Sequence, residues 1–136
     1  MSDIAYVALG SNLGDRAGYL AQGRMALAEL PGSRIVAVSP VEETPPVGDV
    51  PQGSYLNQMV ALETSLAPRA LLDALLAIEQ RAGRVRGVRW GPRTLDLDIV
   101  MFEGQEVHEP DLIVPHPELP NRDFWQRELS ELTGGR

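Results

Sequence analysis

Two residue types are missing from this chain altogether. There is no cysteine, which removes disulfides, thiolate metal sites and cysteine nucleophiles together. All 12 basic residues are arginine, so no lysine exists to serve a P-loop or to form a Schiff base. Aromatic residues make up only 5% of the 136 positions, and the net charge is −7. An RNA-binding sheet needs exposed aromatics and a basic face, and an anionic membrane surface also needs positive charge, so neither class of partner is expected. No apolar run approaches the roughly 20 residues of a membrane span. Met1-Ser2-Asp3 lacks the basic start of a secretory signal. The expectation is a cytoplasmic, monomeric protein acting on small molecules.

What is present is globular: 43% hydrophobic and 23% charged residues, in a length suited to one domain spanning 1–136. Ile4 to Leu9 is a short apolar strand ended by Gly10-Ser11-Asn12. A helix is predicted from Arg16 to Leu30, stopped by Pro31-Gly32. Arg34 to Thr44 alternates as a second strand and ends at Pro45-Pro46. Tyr55 to Thr64 is a third. Pro68 opens a second helix whose leucines 71, 72, 75 and 76, with Ile78, form a stripe ending near Gly83. Leu95 to Phe102 is the fourth strand, Val107 to Val114 is extended, and Pro120 to Leu132 is a last helix. The order β-α-β-β-α-β with C-terminal additions predicts an α+β, ferredoxin-like sandwich with its helices on one face of an antiparallel sheet.

Three clusters invite chemistry. Asp96-Leu97-Asp98 lies on a strand, where side chains alternate, so both carboxylates project from one side. Such a pair suits Mg²⁺, which takes oxygen ligands and leaves positions for substrate phosphates. Taken alone, it also fits the ordinary solvated face of a strand. Directly before it, Arg81, Arg84, Arg86, Arg89 and Arg93 stand in a Gly-rich segment with no acid among them. Guanidinium forks match phosphate oxygens bidentately, and charges this dense repel unless something neutralises them. Trp90 within it is an anchor or a lid. Tyr55 and Asn57 share a strand face and could stack on, and hydrogen-bond to, a flat heterocycle, although two such residues are ordinary in strands. Gly10 to Asp15 is read as a structural turn. His116, held between Pro115 and Pro117, is either a surface histidine or a further phosphate contact.

These segments together resemble the hydroxymethyl-dihydropterin pyrophosphokinase family of folate biosynthesis. The resemblance runs from Ala5 to about Leu132. It is carried by Ala8 to Asp15, Glu43-Thr44-Pro45-Pro46, Tyr55-Leu56-Asn57, Gly83 to Arg86, Arg89 through Asp98 (RWGPRTLDLD) and Pro115-His116-Pro117. It implies diphosphate transfer from ATP to a hydroxymethyl-dihydropterin, with two Mg²⁺ ions on Asp96 and Asp98. Arg84 and Arg93 would stabilise the transferring charge, while Arg86, Trp90 and His116 contribute to ATP binding. The pterin would stack between Tyr55 and Phe124 and bind Asn57 and the backbone from Thr44 through Pro45 to Val47, with Trp90 and Arg122 at the same mouth. In two respects the chain departs from the family pattern: it ends sooner after the last helix, and Glu128 stands where the family usually has proline. The competing reading is a non-enzymatic ferredoxin-like module that binds nucleotide or RNA.

Overall fold

A computed structural model describes residues 3–45, 54–83 and 94–133. Strand β1 (Asp3–Ser11) leads into helix α1 (Arg16–Ala28), followed by β2 (Ser33–Val38), β3 (Glu42–Thr44), β4 (Tyr55–Thr64) and helix α2 (Pro68–Arg81). After β5 (Asp96–Phe102) come the short strands β6 (Val107–Glu109) and β7 (Leu112–Val114). A 3₁₀ turn (Leu119–Asn121) then precedes helix α3 (Asp123–Thr133). Among the described residues, five strands form one antiparallel sheet in the order β2-β4-β1-β5, with β3 also paired to β4, and β6 and β7 form a separate hairpin. The protein is thus an α+β fold with three described helices. No described helix is long and apolar enough to cross a membrane.

Each helix start has a local cause. The Asp15 carboxylate caps α1 by accepting from the Gly18 N–H at 3.1 Å. Pro68 sits in the first turn of α2, where its missing N–H costs nothing. The two sheet faces bury different partners. Ala5, Val7 and Leu9 of β1, Val60 and Leu62 of β4, and Leu97 and Ile99 of β5 point toward α1 and α2. They meet Leu20, Leu27, Leu71, Leu75 and Ile78 there. Gly23 lets α1 lie close on the sheet, since a Cβ there would meet Leu9 Cδ2 at 3.0 Å. The opposite face, with Tyr6, Ala8, Met59, Ala61 and Val100, is covered by Trp125 of α3.

The expected strand from Arg34 to Thr44 is broken in the structure. Ser39 interrupts it: its N–H donates to Met59 O at 2.9 Å, and its Oγ accepts from the Met59 N–H at 2.9 Å. Gln58 Nε2 donates to Ser39 O at 2.7 Å while Arg24 Nη1 donates to Gln58 Oε1 at 2.6 Å. Side chains replace ladder bonds here, and Pro40 brings no N–H of its own. At the other end, β1 runs two residues beyond the expected Leu9, because Gly10 and Ser11 are paired with Asn57 and Leu56 on β4, and Gly10 also with Asp96 on β5.

Candidate active site

β5 lies at the sheet edge, and its alternation sets the site. Leu97 and Ile99 go to the helix-side core, so Asp96 and Asp98 project from the other face, the one bearing α3. A buried carboxyl from α2 holds the stretch of strand between them. Glu79 of α2, 3% exposed, accepts from the Leu97 N–H at 2.7 Å through Oε2. The amide it holds is the one that separates the two aspartates. Glu79→Ala is therefore expected to strand a buried donor, costing about 1–3 kcal/mol of stability, and to lower kcat through misplaced carboxylates. Glu79→Gln, which keeps an acceptor, should recover most of both; thermal denaturation alongside kcat checks this, and an unchanged kcat in a destabilised Ala variant would leave Glu79 a purely structural role.

Register places the other polar groups in line. Asn57 of β4, Gly10 of β1 and Asp96 of β5 are neighbours across three strands, and in the next row Met59, Ala8 and Asp98 are. Gly10 contributes no side chain, and the space above it is taken by its neighbours. A Cβ at Gly10 would meet Tyr55 Cδ1 at 3.3 Å and Asn57 Oδ1 at 3.4 Å. Tyr55 and Asn57 thus lie on the Asp96 face. Asn57 is further held by Thr44, whose Oγ1 accepts from Asn57 Nδ2 at 2.6 Å across the β3–β4 pairing. Pro45 follows Thr44 and is exposed. Arg16, at the start of α1, donates through Nη1 to Glu43 Oε2 at 3.0 Å and to Ser54 O at 2.9 Å, tying β3 to the residue that precedes β4.

His116 closes the β5 side. Its N–H donates to Val100 O at 2.9 Å, occupying part of the strand's outer edge. The imidazole Nδ1 accepts from the Glu118 N–H at 3.0 Å, so a neutral ring carries its proton on Nε2, the nitrogen 3.7 Å from Asp98 Oδ1. Burial, then the Arg122 guanidinium, hold this imidazole below its ordinary pKa; Glu118 and Asp96 pull the other way. The ring meets Trp125 edge-on at 4.9 Å between centroids, and Arg122 lies 4.4 Å above the Trp125 ring. Phe124, half-buried, also packs edge-on to Trp125.

Beside Asp98 and His116 opens a cleft of about 250 Å³ lined by Leu72, Leu97, Ile99, Leu112 and Ile113. Its outer wall, the β6–β7 hairpin, is clamped to α2 by Arg69, which pairs with both Glu109 and Asp111. His108, on β6, is exposed.

Of the residues singled out in the sequence, Thr44, Tyr55, Asn57, Asp96, Asp98, His116, Arg122 and Phe124 are all associated with the α3 face of the sheet or its rim. Val47, Arg84, Arg86, Trp90 and Arg93 lie outside the described residues. Sequence reasoning missed Glu79, the in-strand position of Gly10 and the contact that Glu128 makes with Glu42.

Comparison with known proteins decides the family. Residues 6–134 match the model of the 7,8-dihydro-6-hydroxymethylpterin-pyrophosphokinase family. The chain belongs to this family. It is 46% identical over 132 residues to a 2-amino-4-hydroxy-6-hydroxymethyldihydropteridine pyrophosphokinase of Bacillus subtilis, covering 97% of this chain and 79% of that protein. A protein of the same name from Pseudomonas aeruginosa is 48% identical over 127 residues, 93% of this chain and 78% of its own length. One from Methylorubrum extorquens is 45% identical over 128 residues, 94% and 81%.

Proposed function

We propose that this chain transfers a diphosphate from ATP to the hydroxymethyl oxygen of 6-hydroxymethyl-7,8-dihydropterin, releasing AMP, with Mg²⁺ as the metal. One observation carries the reading beyond family membership: a carboxylate pair and a reader for a flat ring occupy adjoining positions on one sheet face. Asp96 stands in register with Gly10 and Asn57, and Asp98 borders the apolar cleft.

The pterin would lie against Tyr55, with Asn57, already oriented by Thr44, offering its amide to the ring edge and Phe124 supplying a second apolar surface. Pro45, Val47 and Arg122 complete this mouth in the proposal. The nucleoside of ATP fits the cleft, whose walls are aliphatic and whose polar end is Asp98 with His116. The Nε2–H of His116 points to where phosphate oxygens would pass. Arg84 and Arg93 would stabilise charge on the transferring group, and Arg86 and Trp90 would contribute to nucleotide binding.

Asp96 and Asp98 suit Mg²⁺ because they are hard oxygen donors on one side of one strand; among the described residues no group of three or more His, Asp or Glu gathers to form an all-protein cage. Bound there, the metal would neutralise phosphate charge and orient the diphosphate. The chain's own work is positioning: the hydroxymethyl oxygen forms its bond to the β-phosphorus as the bond to the AMP oxygen breaks, and neither lysine nor cysteine is called for.

The βαββαβ plan of a ferredoxin-like sandwich belongs to the same reading. The order β2-β4-β1-β5 supports it, with β2 and β3 counted as one interrupted strand and α1 and α2 sharing a face. The reading carries a cytoplasmic, monomeric enzyme with two soluble substrates. A nucleic-acid module is disfavoured by Asp96 and Asp98, side by side on the sheet face that carries α3, which would repel a phosphate backbone.

An assay for AMP tests the proposal. AMP should form only when ATP, hydroxymethyl-dihydropterin and Mg²⁺ are all present. ATP consumption that ignores the pterin, or a rate that ignores the metal, would overturn it.

A further inference from the structure

Glu128 lies on the inward stripe of α3, with Trp125 one turn before it and Leu129 and Leu132 after it, and is only 3% exposed. Its two oxygens, and Oε1 of Glu42 on β3, are enclosed without a hydrogen-bond partner when both groups are carboxylates. The other Glu42 oxygen, Oε2, accepts from Arg127 Nη2 at 3.1 Å. Two ionised carboxylates bring acceptors and no donor; one proton between them supplies the donor and removes half of the like-charge repulsion.

We propose that Glu128 and Glu42 share a single proton, held on Glu128, and that this carboxyl–carboxylate bond ties α3 to β3, making Glu128 a positioning residue for the pterin wall. The register explains the reach of the effect. Glu42 is paired with Asn57, which in turn holds Thr44, so a shift of β3 is felt by the amide that reads the ring. At the other end of α3, Phe124 and Trp125 pack on the same sheet face. The charged groups bearing on Glu128 are Glu42 from β3 and Arg127 and Glu131 from its own helix. Burial first, then Glu42, push the Glu128 carboxyl up to about 8; Glu131 adds to this and Arg127 opposes it. The bond therefore exists at neutral pH and loosens as the pH climbs through that value.

The sign of the linkage gives the test. Glu128 titrates at its ordinary 4.5 in the unfolded chain and near 8 in the folded one, so the folded state binds the extra proton between those values. Stability is intact below the lower value and is lost as pH rises toward the upper one. In Glu128→Gln the amide donates permanently and position 128 no longer titrates. Denaturation of the whole chain from pH 5 to 9 should show the folding constant of Glu128→Gln gaining on wild type by up to about tenfold per pH unit, levelling off above pH 8. Parallel curves would overturn the shared proton.

The kinetic arm rests on the proposed activity. Pterin KM of the wild type should rise as the pH passes 8 while that of Glu128→Gln does not, and Glu128→Ala should raise KM at neutral pH more than it lowers kcat. A pterin KM with the same pH profile in both proteins would remove the positioning role. If the chain had no transfer activity at all, the denaturation curves would still decide the proton, so failure of the pair and failure of the functional reading remain distinguishable.

Discussion

Asp98→Ala, and likewise Asp96→Ala, is expected to cut diphosphate transfer by at least about 10²–10³-fold, the scale of losing one preorganised electrostatic contact to developing charge. The fold should survive. Asp98 is 31% exposed at its side chain and stands on the sheet face away from the α1–α2 core, so its loss leaves that core intact. In wild type, Mg²⁺ should raise Tm through preferential binding to the folded chain, and the aspartate variants should lose that increment. The comparison of Tm with and without Mg²⁺ thus checks the metal assignment independently of turnover. Full kcat in either variant at ordinary Mg²⁺ would end the assignment of metal to this pair. Asp98→Asn adds resolution: it keeps the shape beside His116 Nε2 and removes the charge, so a loss as large as that of alanine assigns the effect to charge.

How much of this site could be read from the chain follows from how local each signal is. The shared face of Asp96 and Asp98 depends only on the two-residue period of a strand, as does that of Tyr55 and Asn57, and both were legible. The helix stripe at Leu71, Leu75 and Ile78 was legible for the same reason, with its own period. The break at Ser39 was not, because it depends on Gln58 and Met59, twenty residues along the chain, replacing ladder bonds. Gly10-Ser11-Asn12 reads as a turn by composition, yet Gly10 is clasped between β4 and β5 and stays extended. Tertiary pairing overrode local preference there. Glu79 and Glu128 carried a faint signal: each is an acid falling on the inward stripe of its amphipathic helix. Which acceptor or donor awaited it could only come from the packed structure.

Gly10 itself yields the second large effect. Its φ is not in the left-handed region, so the backbone accepts any side chain and the obstacle is purely the neighbours. An alanine Cβ would stand 3.3 Å from the Tyr55 ring and 3.4 Å from Asn57 Oδ1, asking each to yield by a few tenths of an ångström. Valine adds two further methyls to the same space, which the ring and the amide would have to vacate. Asn57 would then surrender its 2.6 Å bond to Thr44. Overpacking of this kind costs about 1–3 kcal/mol, and spent on the pterin wall it should lower kcat/KM for the pterin by about 5–150-fold, with Gly10→Ala at the mild end. ATP should be less affected, since neither Tyr55 nor Asn57 lines the cleft proposed for it. Calorimetric titration with a non-hydrolysable ATP analogue beside pterin KM separates the two. A Gly10→Val protein that lost both ligands equally would mean that the glycine serves the sheet as a whole, whereas selective loss of the pterin would place the heterocycle over the gap between Asn57 and Asp96.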